Sequence, residues 1–221
     1  MTASLRLWVT RTPPQAQETA ERLRAMGHQP VVAPLLDWRM IEGAVLNLAA
    51  ADGLAFTSRN AVDAFCRLTQ RRDLPVLAVG DSTAEAARAA GFDAVESAGG
   101  DLGDLAALIA RRGLSRIVHP GPREAAGDLP GATPVAIYET YETGQAAPPG
   151  LDGVLIHSPK AGRALAKALE RGGAEGLCAY AISKAAAAPL ASLKFQLVAV
   201  AQYPNEQALL KLIGDTNQSK A

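Results

Sequence analysis

The sequence predicts an α/β protein made of two similar domains, each built on a parallel sheet. An internal repeat, a β-α-β opening and an aliphatic composition carry that prediction. The run from Gly53 to Phe65 (GLAFTSRNAVDAF) is echoed by Gly153 to Leu165 (GVLIHSPKAGRAL), an offset of 100 residues. Val76 to Gly80 then matches Ala179 to Ser183 at 103, as do Phe92 and Val95 with Phe195 and Val198. Leu105, Leu108 and Ile109 match Leu209, Leu212 and Ile213 at 104. Each copy reads strand, helix, strand, helix, strand, helix, and the register drifts by only four residues over the whole repeat. Chance similarity does not hold register that long.

The individual elements follow in chain order. Leu5 to Thr10 is apolar and suits a strand, and Pro13 and Pro14 suit a first helical turn, where a missing N–H costs nothing. Ala16, Ala20, Leu23 and Met26 fall at helical spacing, with Gly27 as a stop and Gln29 to Leu35 as the next strand. Such a unit demands a right-handed crossover in a parallel sheet. Leu36 to Ile41 reads as extended and Gly43 to Ala50 as helix-like. After the first repeat come a strand at Arg116 to His119 and an extended stretch of alternating character, Val135 to Thr143. The opening β-α-β unit has no sheet of its own and must complete one of the two repeats. If it joins the second, the chain leaves domain one near residue 37 and returns near 142, and two extended segments form a double linker.

Composition removes several function classes. The chain has 221 residues, 22 basic and 22 acidic, for a formal net charge of zero and a pI near 6.8. Nucleic-acid affinity normally rests on a basic surface, so a nucleic-acid partner is not expected. Aromatics are only 5% and alanine is about a fifth of the chain, which leaves Val, Leu, Ile and Ala to build the cores. No apolar run reaches the roughly 20 residues that span a bilayer, so no membrane partner is expected. Residues 1–7 lack the pattern of a signal peptide. Cys66 and Cys178 sit in apolar stretches as buried, reduced thiols would. Together these predict a cytoplasmic protein. Three scattered histidines, at 28, 119 and 157, give a metal site little to be made from, and none is expected. Gly-x-Gly-x-x-Gly after a strand, the phosphate-loop motif and the Gly-x-Ser-x-Gly elbow are all missing.

In open parallel sheets, ligands bind beyond the C-terminal strand ends. Those ends carry Thr10-Arg11-Thr12, Thr57-Ser58-Arg59-Asn60, Asp81-Ser82-Thr83, His157-Ser158-Pro159-Lys160 and Ser183-Lys184. A Ser or Thr at such a junction most often only caps its helix. Five junctions together also present free N–H groups and positive helix ends, which suit carboxylates or phosphates. A neutral protein could hold a polyanion in this way. The loop Pro120-Gly121-Pro122-Arg123-Glu124 either turns Arg123 toward a cleft or leaves it solvated. Tyr138 and Tyr141, in Ile137-Tyr-Glu-Thr-Tyr141, either pack in a strand or line the floor of a cleft between two domains.

Five segments, in this order and spacing, give a family resemblance: Val9-Thr10-Arg11-Thr12-Pro13, Phe56 to Val62, Val79 to Ala84, Val135 to Thr140, and Ser158 to Gly162. Together, from about Leu5 to Ile213, they resemble the uroporphyrinogen-III synthase family of tetrapyrrole and haem biosynthesis. The resemblance implies two α/β domains joined by a two-stranded extended linker, with domain one discontinuous: 1–36 and 143–221, then 43–134, with linker strands 37–42 and 135–142. It implies a lyase that cyclises the linear tetrapyrrole hydroxymethylbilane with inversion of ring D, through a spiro intermediate, releasing water. No cofactor is implied, and a monomer is expected. Tyr138 matches the family's proton donor, Thr83 its domain-two threonine, and Ser58 and Ser158 positions that line the cleft. The expected substrate-binding set is Arg11, Thr57, Ser58, Asn60, Ser82, Thr83, Arg123, Ser158, Ser183 and Lys184. One departure stands out. Where the second repeat should carry Gly and Thr, this chain reads Ser183-Lys184-Ala185-Ala186, so Ser183 or Lys184 takes over that contact. The alternatives are a non-enzymatic two-domain binder or sensor of an anionic small molecule, or an inactive family member.

Overall fold

The structure, a computed structural model, describes residues 3–124, 128–170 and 173–218. The chain forms two compact units, one of Met1–Asp37 with Tyr141–Ala221 and one of Trp38–Thr140. Unit one opens with β1 (Arg6–Val9), α1 (Gln15–Ala25) and β2 (Gln29–Val32), and the chain leaves it along β3 (Leu36–Met40). Unit two runs β4 (Gly53–Phe56), α2 (Arg59–Leu68), β5 (Val76–Ala78), α3 (Asp81–Ala89), β6 (Val95–Ser97), α4 (Leu102–Arg112) and β7 (Ile117–Pro122). The return is along β8 (Ala132–Glu142). Unit one is completed by β9 (Gly153–Ile156), α5 (Pro159–Leu169), β10 (Cys178–Ala181), α6 (Lys184–Ala187), a 3-10 turn (Ala188–Leu190), β11 (Leu197–Val200) and α7 (Glu206–Gln218).

The sheet of unit one has the order β11-β10-β9-β1-β2, with every neighbouring pair parallel. That of unit two has the order β3-β8-β7-β4-β5-β6. The repeat reaches down to register. Leu54 pairs with Val76 and Val76 with Val95 in unit two; their counterparts in unit one are Val154 with Ala179 and Ala179 with Val198. Leu54 also pairs with Val118, and Val154 with Trp8. β7 is therefore the counterpart of β1, so the same strand comes late in one unit and first in the other. Opposite β8, β3 runs antiparallel. The Ile41 N–H donates to the Ile137 carbonyl at 3.0 Å and the Thr143 N–H to the Leu35 carbonyl at 3.1 Å, with Arg39 against Glu139 between them. Residues 37–42 and 135–142 thus lie mostly on these two strands of the second sheet.

Helices cover both faces of the central strands, so β4, β5, β9 and β10 are buried at every residue. Alternation still sorts the two faces. In unit one Trp8, Val154, Ile156, Ala179 and Ala181 enter one core, and Leu7, Val9, Leu155, Cys178 and Tyr180 the other. In unit two Leu54, Phe56, Val76 and Val118 oppose Ala55, Leu77 and Ile117 in the same way. Phe56, Phe65 and Phe92 form the aromatic centre of the first of these cores, with ring centroids 5.5–6.1 Å apart.

Two expectations about local structure fail. Residues 43–50 form no helix. Gly43 sits at φ +68°, and burial alternates along Ala44 to Leu48, so Leu46 and Leu48 reach the core at a spacing of two while Val45 is exposed. A helix would have pointed those two leucines about 200° apart. The second helix of the second repeat is also cut short. α6 spans only Lys184–Ala187 before Pro189 diverts the chain into the 3-10 turn.

Candidate active site

In unit two, β4 ends at Phe56 and Ser58 takes the N-cap of α2, its Oγ accepting the Ala61 N–H at 3.1 Å. The same Oγ lies 3.1 Å from the hydroxyl of Tyr138, which arrives on β8 from 80 residues away. Tyr138 is 3% exposed. Trp38 meets its ring edge-on at 5.5 Å, and the Arg67 guanidinium covers Trp38 at 4.5 Å. Burial pushes the Tyr138 pKa up, and the bond to Ser58 works against that push. The phenol is therefore protonated at neutral pH. Next to Ser58 in sequence, Thr57 Oγ1 lies 3.2 Å from Nε2 of His119 on β7. Burial lowers the His119 pKa and keeps that ring neutral.

The other expected residues of unit two are more dispersed. Asn60 is half-buried in the first turn of α2. α3 takes Gly80 as its N-cap, with no side-chain cap bond, so Ser82 and Thr83 are helical residues rather than caps. Ser82 is exposed and Thr83 buried. Arg123 donates its backbone N–H to the Tyr138 carbonyl at 2.8 Å, while its exposed side chain sits 3.3 Å from Glu139. Glu139 also takes Arg39 at 2.7 Å, and that bond, more than Arg123, lowers its pKa. Tyr141 faces away from the core and donates to Asp37 at 3.3 Å.

In unit one, Ser158 and Ser183 repeat the Ser58 cap, accepting the Ala161 and Ala186 N–H groups at 3.1 and 3.2 Å. Lys184 opens α6 and is exposed. Arg11 joins none of these. Its Nη1 lies 2.7 Å from Glu206, in the first turn of α7. Glu206 also accepts from Thr19 at 2.6 Å and from His157 Nε2 at 2.9 Å. Burial alone would raise the Glu206 pKa, but bonds from His157 and Thr19 and the charge of Arg11 hold it at about 2. Burial, aided by Arg11, lowers the His157 pKa. The ring is neutral, Nε2 carries its proton, and the buried Nδ1 has no partner among the described residues.

Sequence reasoning did not single out Thr19, His119, His157 or Glu206 as functional, nor Trp38. The histidines were visible, but their partners lie 49 and 62 residues away in the chain. Among the described residues no group of three or more His, Cys, Asp or Glu could hold a metal ion. No helix there is long and apolar enough to cross a membrane.

The family described as Uroporphyrinogen-III synthase HemD matches residues 17–211. A mutant uroporphyrinogen III synthase from the extremely thermophilic bacterium Thermus thermophilus superposes with a TM-score of 0.54 at 14% identity, covering 99% of this chain and 100% of that one. The wild-type enzyme of the same organism, in a second crystal form, gives 0.41 at 15% identity, with 99% of each chain covered. No curated sequence matches. The first of these structures shares the fold, and the family match spans most of the chain. The chain therefore belongs to the uroporphyrinogen-III synthase family, a family of cyclising lyases.

Proposed function

We propose that this protein converts hydroxymethylbilane to uroporphyrinogen III, closing the macrocycle with inversion of ring D. The observation that supports this most is the buried Tyr138 hydroxyl, 3.1 Å from the capping Ser58 at a strand end of a family member. The hydroxyl of ring A leaves as electrons flow from its pyrrole nitrogen, and the Tyr138 O–H gives it the proton that makes it water. The cation left behind is attacked by the substituted α-carbon of ring D to form the spiro intermediate. The bond from that carbon to the ring C bridge then breaks, ring D turns over, and its free α-carbon bonds to the bridge, losing the proton that restores the phenol. Hydroxymethylbilane also cyclises unaided to the type I isomer, so the larger share of the work is holding the chain ends for the spiro attack.

In this reading the substrate carboxylates are met by Thr57, Asn60, Ser82, Thr83 and Arg123 of unit two and by Arg11, Ser158, Ser183 and Lys184 of unit one, while the Ser58 hydroxyl stays with Tyr138. Arg11 and Arg123 already have carboxylate partners in Glu206 and Glu139, so a substrate carboxylate would share or displace those. No cofactor takes part.

The test is the initial rate of type III formation from fresh hydroxymethylbilane. Wild-type protein should yield the type III isomer; only type I, with tight binding of the bilane, would favour a binding protein instead. Tyr138→Phe keeps the ring and its contact with Trp38, so it should fold normally and lose about 10²–10⁴ in rate. Tyr141→Phe, exposed and on the other side of the strand, should change little. Full activity in Tyr138→Phe would remove the tyrosine from the chemistry.

A further inference from the structure

We infer that Ser58 is a positioning residue for Tyr138, its hydroxyl being the donor that holds the tyrosinate formed when the phenol gives up its proton. This rests on the reading of Tyr138 as the acid of the reaction. A serine hydroxyl has one proton and two lone pairs. One lone pair of Ser58 is taken by the Ala61 N–H at 3.1 Å. Its contact with the Tyr138 hydroxyl, also 3.1 Å, can run in either direction while the phenol is protonated. Once Tyr138 is an anion it can only accept, so the Ser58 proton must point to it.

The chain Ala61 N–H to Ser58 O–H to Tyr138 oxygen then joins the anion to the positive end of α2, a ten-residue helix. Such a donor matters here because Tyr138 is buried beside Trp38, away from the water that would otherwise solvate a phenolate.

The second repeat separates this role from capping. Ser158 makes the same bond to the Ala161 N–H at the same 3.1 Å, yet its cap serves a helix of the other unit with no tyrosine bonded to it among the described residues. Capping accounts for a serine in both copies. The bond to Tyr138 belongs to one of them.

Three substitutions divide the two roles. Ser58→Thr keeps both the cap and the donor. Ser58→Ala loses both. Ser58→Asp keeps the cap, and so the stability, but a carboxylate cannot donate to a phenolate. The ionisation of Tyr138 is followed directly by fluorine NMR on protein labelled with 3-fluorotyrosine, and Tyr138→Phe identifies its signal among the four tyrosines. We expect Ser58→Thr to leave the Tyr138 titration as it is in wild type. Ser58→Ala should raise the Tyr138 pKa by about one unit or more and slow turnover by about ten- to a hundredfold, the worth of one bond to a charged group. Ser58→Asp should raise that pKa further while melting no lower than wild type. An unchanged Tyr138 pKa in both Ser58→Ala and Ser58→Asp overturns the inference, whatever the rates. Full activity in Tyr138→Phe would instead refute the acid role, leaving the titration to decide whether Ser58 governs the phenol.

Discussion

Glu206→Gln should cost unit one about 3 kcal/mol at neutral pH, because it removes a charge from three donors, two of them buried, while keeping the shape of the side chain. Glu206 accepts from Arg11, Thr19 and His157 at 2.7, 2.6 and 2.9 Å. A glutamine has one oxygen where the carboxylate has two, so at least one donor would face an N–H instead. Removing one partner of a buried ion pair costs about 3–5 kcal/mol. Arg11 keeps 29% of its side-chain exposure, which favours the lower end. Protonation gives a second route to the magnitude. The Glu206 pKa falls from 4.5 to about 2 on folding, and about 2.5 units at roughly 1.4 kcal/mol each is again about 3 kcal/mol. Since the folded value is the lower, this stability is fully present above pH 4.5 and is lost as the pH falls toward 2. His157 acts in the same sense: its folded pKa lies below 6.5, so acidification from that point favours the unfolded chain. Urea titrations of wild type and Glu206→Gln, followed through the transition of unit one, should show the gap at pH 7 and its narrowing at pH 3. A variant within about 0.5 kcal/mol of wild type at pH 7, or a gap that does not change with pH, would refute this account.

Two further substitutions test the packing that carries the strand ends. Gly162→Ala should lower the melting temperature, because a Cβ there would overlap the Ala186 carbonyl oxygen and press on Pro189. That overpacking costs about 1–3 kcal/mol, more than the ~1 kcal/mol that alanine gains over glycine in a helix; a higher melting temperature would contradict it. Asp101→Ala removes the capping box in which Asp101 accepts from Gly103 and Asp104 and Asp104 reaches back to the Asp101 N–H. The loss should be about 1 kcal/mol in denaturant midpoint, and an unshifted midpoint would show that α4 is held by its core contacts alone.

The sequence by itself determined the two parallel-sheet α/β units and much of their pairing. Offsets of 100 and 103 residues, read from Ser58 against Ser158 and Val76 against Ala179, reappear as the matched pairs Leu54–Val76 and Val154–Ala179. They could be read because apolar periodicity and strand-end serines are local signals, set by a few adjacent residues and their backbone N–H groups. Ser58, Ser158 and Ser183 cap their helices for that reason. The long-range pairs at the strand ends had no local signal. Ser58 meets Tyr138 across 80 residues and Arg11 meets Glu206 across 195, and only the order of strands in each sheet brings those ends together. The same tertiary context overrode local appearance at 43–50, where two core leucines at a spacing of two required extended chain. It also engaged Arg11, whose guanidinium sequence alone offered to a ligand, with a part-buried carboxylate. Glu206 also accepts from Thr19 and His157, and Arg11 adds the positive charge that such a carboxylate favours.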